Sequence, residues 1–509
     1  MEPGVQLGDV FVPHAEVMAN AMRAARGYVD MGLTRGDSIA LFLRNDVPFI
    51  EATLGARHLG MYPVPMNWHL KGEEAEYILR DSGARALIIH EDLLPQLKGH
   101  VPDGVQVIAV PTPGQLADAY GLEANGAPLS SGAWNWREWL AARTPWDQPA
   151  EKETASIVYT SGTTGRQKGV KREPATPEQF QRTVQAAFTV MGIKQGVRSI
   201  IPAPLYHSAP NFFAIMSTIL ATYVNIMPRF DAEEFLALIE KFKITHIQMV
   251  PVMFIRLLKL PEEVRKKYDV SSLEHVVHAA APCPAHVKQA MMDWWGPVIH
   301  EYYGSTELGM VTYCTPQEAL TYPGTVGRAT DGSIVKIMDA AGNELAPGNI
   351  GTVYGRLTWN TDFTYQNDPA KRASIEKSGL WTGGDVGYLN EDGFLFLCDR
   401  ANDMVISGGV NIYPAEIEAV LIRLDGVKDC AVFGIPDEEF GEALAAVVEL
   451  QDGAQLTKDE VAAHLREHLA SYKVPKVIEF QKDLPREDSG KLFKRKLRQP
   501  YWEKAGRNI

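Results

Sequence analysis

Apolar residues recur at helical spacing over residues 14–32, at Val17, Met18, Ala21, Met22, Ala25, Tyr28 and Val29, and Gly32 closes the run. The aliphatic stretch 38–43 predicts a strand, 48–59 a helix, and Tyr62-Pro63-Val64-Pro65 a turn into the next element. A helix over 73–81 and a strand over 86–89 follow. Strand and helix alternating at this interval predict a parallel sheet with helices on its faces. Residues 111–150, rich in Gly, Ala, Pro and Ser, predict loop with one amphipathic segment. Beyond them the alternation returns, with helices at 235–242, 253–258 and 285–295 and strands at 245–250 and 275–277.

From about residue 324 the pattern changes to short β runs at 334–338, 352–357 and 394–397 with glycine turns between, which predicts a small antiparallel barrel or sheet. From about 400, helices at 414–424 and 458–469 and strands at 430–434, 444–450 and 477–480 predict a compact α+β unit. The apolar run 211–227 between Pro210 and Pro228 falls short of the ~20 residues of a spanning helix and predicts a buried core helix. The expected fold class is therefore α/β.

Length and charge narrow the function. A chain of 509 residues divides into several domains or subdomains. With 45% hydrophobic and 22% charged residues it has the composition of a globular protein, and a net charge of -13 argues against a broad nucleic-acid surface. Cys283, Cys314, Cys398 and Cys430 lie far apart with no C-x-x-C pair, which fits neither a disulfide framework nor a zinc site and points to a cytoplasmic location. The start, Met-Glu-Pro-Gly-Val, lacks the basic-then-apolar pattern of a signal peptide.

The stretch from Ile157 to Val170 carries the strongest chemistry. A short apolar run breaks into a loop holding Gly162, Gly165 and Gly169, the hydroxyls of Thr160, Ser161, Thr163 and Thr164, and Lys168. Glycines let successive backbone N–H groups converge on one oxyanion, and the hydroxyls and lysine add donors and charge. The spacing is not that of a Walker A loop, since Gly162 and Gly165 are three apart and a glycine follows Lys168. A surface turn of the same composition is the alternative. Four further clusters stand out: Tyr302-Tyr303-Gly304-Ser305-Thr306-Glu307, Trp381 to Asp385, Asp399-Arg400 with Asn402-Asp403, and Asp488 to Lys491. A carboxylate at Glu307 beside a triphosphate suits a Mg²⁺ ligand, although Thr306 as a helix N-cap with Glu307 in the first turn fits too. Asp385 and Arg400 suit a ribose diol, or are ordinary turn residues, and Lys491 alone reads as solvated.

In order and spacing these clusters resemble the adenylate-forming (ANL) superfamily, which includes AMP-forming acyl-CoA synthetases. Tyr159 to Gly169 matches that family's phosphate loop except for Gln167 in place of proline. Further matches are Leu205-Tyr206-His207, His278 to Pro282, Tyr303 to Glu307, Gly384-Asp385, Ser407-Gly408-Gly409, Asn411 to Glu418 and Ser489-Gly490-Lys491. The resemblance implies an AMP-binding domain over 1–399 with helix-flanked sheets and a small β-barrel subdomain at about 324–398. It also implies a small mobile α+β domain over 400–509.

It further implies that Thr160, Ser161, Gly162, Thr163, Thr164, Gly165 and Lys168 cradle the leaving pyrophosphate, with Ala280, Ala281, Pro282 and Tyr303 around adenine and Asp385 and Arg400 on the ribose. Lys491, Thr306 and Glu307 are the implied catalytic residues, with Glu307 also the metal ligand. His207, His278, Tyr302 and Gly304 are implied for the acyl pocket, Ser407, Gly408 and Gly409 for the CoA tunnel, and Asn402 for the hinge. Gly383, Asn402 and Tyr302 depart from common family residues.

The implied function is an AMP-forming carboxylate–CoA ligase using ATP, Mg²⁺ and CoA. A fatty acid is the first expectation for the acid, with an aryl-propenoic or steroid side-chain acid open. The alternative is an acyl-AMP ligase loading a carrier protein, and outside the family a non-catalytic nucleotide-binding module. The expected partners are the acid and CoA, with no nucleic acid and no transmembrane segment; a homodimer stays open.

Overall fold

A computed structural model describes residues 2–122, 133–160, 167–220, 222–400, 403–407, 410–437, 440–486 and 492–504. Near the N-terminus a five-stranded parallel sheet runs in the order Tyr62–Pro65, Ser38–Phe42, Ala84–His90, Gln106–Val110, Trp134–Asn135. Residues 62–65, expected as a turn, form a strand. Pro63 and Pro65 cannot donate to a ladder, and they are tolerated because this strand lies at the sheet edge. Ile39 and Leu41 join one core and Ala40 and Phe42 another, so the strand is buried on both faces.

Beyond an antiparallel edge strand, Val10–Pro13, the large sheet runs parallel in the order Gly4–Leu7, Tyr223–Ile226, Arg198–Ile201, His246–Met249, His275–His278 and Ile299–Ser305. Its direction then reverses at the hairpin Ile299–Ser305/Gly309–Cys314. The antiparallel strands foreseen from about 324 continue this same sheet through Thr325–Ala329, Phe394–Arg400, Asp385–Leu389 and Gly351–Leu357. The expected helix over 211–227 is two elements, the helix Ser208–Ile219 and the strand Tyr223–Ile226. Tyr-Val-Asn-Ile is a β-rich tetrapeptide, and its slot between two parallel neighbours outweighs helical continuation. Thr222 anchors the break by donating its hydroxyl to Ser217 O at 3.0 Å.

A small sheet of Phe363–Tyr365, Lys168–Arg172 and Val158–Thr160 stands apart from the large one. The C-terminal unit has its own sheet, built on the long hairpin Val427–Asp437/Gly441–Leu450, with Val477–Phe480 alongside in parallel. Its core gathers Ile417, Val432, Leu444 and Leu465. Among the described residues no helix is long and apolar enough to cross a membrane.

Candidate active site

The strands Val158–Thr160 and Lys168–Arg172 pair antiparallel with Thr160 opposite Lys168, so they form the stem of the glycine-rich loop. Ser161, Gly162, Thr163, Thr164 and Gly165 lie outside the described residues. The stem is braced from two directions. Tyr159 donates its hydroxyl to Asp81 Oδ2 at 2.7 Å, and Asn367 Nδ2 reaches Asp81 O at 2.9 Å and Oδ1 at 3.1 Å. Tyr77 donates to Gln167 O at 3.1 Å, and Lys168 forms an ion pair with Asp368. Gly169 is required here, because a Cβ would stand 2.8 Å from the Tyr159 ring. Burial, reinforced by Asp81, pushes the Tyr159 phenol well above its ordinary range, so it remains a donor.

The strand Ile299–Ser305 carries the next group of residues, and its alternation sends neighbours to opposite sides. Tyr302 packs in the core that contains Val277, Ala279 and Phe213, whereas Tyr303 packs with Val170, Phe363 and Trp381. Tyr303 donates its hydroxyl to Asp385 Oδ2 at 2.7 Å. Asp385 in turn stands opposite Arg400 in the ladder between Asp385–Leu389 and Phe394–Arg400, which sets the two ribose candidates side by side. Gly304 sits at a register shift where a Cβ would lie 1.8 Å from Gly309 O, so no other residue fits without moving the hairpin.

Thr306 and Glu307 form the hairpin turn and not the first turn of a helix, so the N-cap reading does not apply. Arg172 fixes that turn. Its Nη2 donates to Thr306 O at 2.8 Å and Glu307 O at 2.7 Å, and its Nη1 to Thr361 O at 2.7 Å. Burial pulls the Arg172 guanidinium down to about 10, with Glu307 and Asp362 opposing the shift. Tyr365 donates its hydroxyl to Glu307 Oε1 at 2.8 Å and so orients the carboxylate.

A cavity of about 280 Å³ connects these elements: Ala280, Ser305 and Thr306 share its wall with Phe180, Phe212 and Tyr302. Ala280 holds φ +74°, a left-handed conformation that costs an alanine roughly 1–2 kcal/mol. Backbone strain of this kind clusters at functional sites. Ala281 is half-buried and Pro282 is exposed beside it. Of the four residues assigned to the acyl pocket, Tyr302 and Gly304 line the cavity, and His207 and His278 do not. His278 is fully buried on the opposite face of its strand, edge-on to Phe254 with ring centroids 5.3 Å apart and 3.7 Å from Glu301. Period-two alternation turns Val277 and Ala279 to the cavity side and His278 away from it. His207 is the N-cap residue of Ser208–Ile219, with its ring against Tyr206.

Ser407 ends the strand Val405–Ser407, opposite Val410 and Gly441. Gly408, Gly409, Asn402 and Lys491 lie outside the described residues, and Arg400 is described through its backbone. The sequence reading missed Arg172, Tyr365, Asp81, Asn367 and Asp368. Asn367-Asp368-Pro369 is a turn signal that marks the last two, but nothing local distinguishes the others.

The cavity joins the stem strands, at Val158, Val170 and Arg172, to the hairpin, at Gly304, Ser305 and Thr306. The chain belongs to the AMP-binding enzyme family, which matches residues 8–361, and the AMP-binding enzyme C-terminal domain matches residues 416–491. It is 30% identical over 496 residues to the long-chain-fatty-acid–CoA ligase FadD13 of Mycobacterium tuberculosis, covering 97% of this chain and 94% of that protein. It is 30% identical over 500 residues to the feruloyl-CoA synthase of an Amycolatopsis species, covering 98% and 95%. The solved anthranilate CoA ligase AuaEII, in complex with anthranoyl-AMP, superposes with a TM-score of 0.87 at 25% identity, over 99% of this chain and 95% of that one.

Proposed function

We propose that this protein is an AMP-forming carboxylate–CoA ligase. The observation that carries the reading is a cavity in which the apolar wall at Tyr302 meets Thr306 and Ala280. An acid and the α-phosphate of ATP would meet at that junction. In the first half-reaction a carboxylate oxygen attacks the α-phosphorus, the bond to the bridging oxygen breaks, and acyl-AMP and pyrophosphate form. Two anions must be brought together, so positioning and charge neutralisation carry the catalysis.

Lys491 is assigned to neutralise carboxylate and α-phosphate, Thr306 to the α-phosphate, and the loop from Thr160 to Lys168 to the leaving pyrophosphate. Asp385 and Arg400 hold the ribose, and Ala280, Ala281, Pro282 and Tyr303 enclose adenine. Glu307 fits a magnesium ion that takes its other ligands from phosphates and water, since one carboxylate held by Tyr365 suits that mode. Such an ion would neutralise phosphate charge. In the second half-reaction the CoA thiol attacks the acyl carbon, AMP leaves, and the thiol proton passes to solvent or to the leaving phosphate.

The unit beyond residue 400 is assigned as the mobile domain, hinged at Asn402, that withdraws Lys491 and brings Ser407, Gly408 and Gly409 to the CoA arm. A screen of carboxylic acids for pyrophosphate release, with and without CoA, tests the whole reading. Acid-driven release with a thioester product is expected. Release with no thioester from free CoA would indicate carrier-protein loading, and ATP binding without release for any acid would refute the enzyme. Lys491→Ala is expected to abolish adenylation yet still convert preformed acyl-AMP and CoA to thioester.

A further inference from the structure

The strand Lys168–Arg172 is gripped at both ends. Alternation sends Lys168, Val170 and Arg172 to one side. Val170 packs with Tyr303 and Phe363, Lys168 is ion-paired to Asp368 where the phosphate loop ends, and Arg172 reaches the turn that carries Thr306 and Glu307. The main chain at Arg172 is anchored as well. Tyr62, from the five-stranded sheet, donates its hydroxyl to Arg172 O at 3.2 Å, and Phe363 stands opposite Arg172 in the ladder.

What the guanidinium holds is backbone. It spreads over the main-chain oxygens of Thr306, Glu307 and Thr361, and among the described residues none of its hydrogen bonds goes to the Glu307 carboxylate. A peptide unit is planar, so carbonyls turned toward Arg172 send the N–H groups of Glu307 and Leu308 the opposite way. There Leu308 N donates to Ser305 Oγ at 3.1 Å. The turn is thus fixed from both sides, with Thr306 on the cavity wall and the Glu307 carboxylate held by Tyr365. Burial lowers the guanidinium only to about 10, so it stays charged at neutral pH. A planar fork that bridges several oxygens is a geometry an ammonium group does not reproduce.

We propose, on the ligase reading above, that Arg172 is a positioning residue for the triphosphate. It locks the turn of Thr306 and Glu307 to the strand that leaves the phosphate loop, which holds the α-phosphate and the magnesium ion in register with the β- and γ-phosphates. Arg172 acts through the turn and not on a reacting atom. Its effect therefore falls on ligands that span both ends of the strand. MgATP does so; AMP, which stops at the α-phosphate, does not.

The test titrates MgATP and AMP into the full-length wild type, Arg172→Lys and Arg172→Met by calorimetry, with a melting temperature recorded for each. Arg172→Lys keeps the charge and loses the fork; Arg172→Met loses both. MgATP is expected to bind at least about tenfold more weakly to both variants, the scale of hydrogen bonds from a charged donor, and AMP less than about threefold more weakly. A merely structural role would weaken both ligands alike, in step with the melting temperature. An MgATP-to-AMP affinity ratio equal to that of the wild type, in either folded variant, overturns the inference; if Arg172→Met does not fold, Arg172→Lys decides alone. A wild type that binds MgATP yet releases no pyrophosphate with any acid refutes the ligase reading and leaves the ratio to decide on Arg172. A wild type that binds neither nucleotide refutes both.

Discussion

The Tyr303 hydroxyl donates to Asp385 Oδ2 across 2.7 Å, joining residues 82 positions apart. It holds the carboxylate against rotation. Tyr303→Phe keeps the ring and removes that tether. A hydrogen bond to a charged group contributes ~1.5–3 kcal/mol, so ATP is expected to bind about tenfold more weakly or worse, with acid affinity little changed. Nucleotide titration of the variant checks it, and unaltered ATP affinity would remove Asp385 from the ribose site.

Glu307 is expected to govern metal dependence. Glu307→Gln should shift the Mg²⁺ concentration for half-maximal adenylation upward, because a neutral amide is a poorer ligand for a hard cation. Tyr365→Phe, which frees Oε1, should shift it by less. Superimposable Mg²⁺ titrations for Glu307→Gln and the wild type would contradict the assignment.

Behind the site, Lys288 and Glu301 form a buried ion pair, both 4% exposed. Burial raises the Glu301 carboxyl; it works against the Lys288 ammonium too, but Glu301 outweighs it and holds the ammonium above its ordinary range. Removing one partner strands the other. Lys288→Met is expected to cost ~3–5 kcal/mol in urea unfolding, and adding Glu301→Gln should restore much of it. A single variant as stable as the wild type would show that the pair is not what holds the helix Ala285–Trp295 to the strand Ile299–Ser305.

Three imidazoles stack across neighbouring strands. His246 and His275 have centroids 5.6 Å apart, and His275 and His300 are 3.9 Å apart. Tyr313 continues the stack beyond His300, with its hydroxyl 2.7 Å from Nδ1, and Lys194 is the cation bearing on His246 and His275. Burial holds His246 down to about 3, His275 to about 4 and His300 to about 3. A folded value below the unfolded ~6.5 means that the unfolded chain binds more protons between the two. Their stabilisation is therefore complete above about pH 6.5 and is lost as pH falls toward 4, at up to ~1.4 kcal/mol per pH unit for each ring. Thermal unfolding between pH 7.5 and 5 should show this fall, and His275→Phe should flatten it. A wild-type melting temperature constant over that range would rule it out.

What the sequence disclosed follows from how far each signal reaches along the chain. Period and turn chemistry act over a few residues, so the parallel elements and the strand that enters the glycine-rich loop were legible. Pro63 and Pro65 obeyed their rule, but only the sheet order reveals that their strand is at an edge. Arg172 is one basic residue on a short strand until the fold brings Thr306, Glu307 and Thr361 to it. His278 matched a motif by position, yet which side of the sheet it takes is decided by the strand's register with its neighbours.

Tyr302 and Tyr303 are adjacent in the chain yet belong to separate cores. Codon changes at the first therefore reshape the cavity wall while the second keeps its hold on Asp385. An inserted or deleted residue just before them would exchange their places and spoil both. Diversification along this ribbon is thus open to substitution and closed to changes in length.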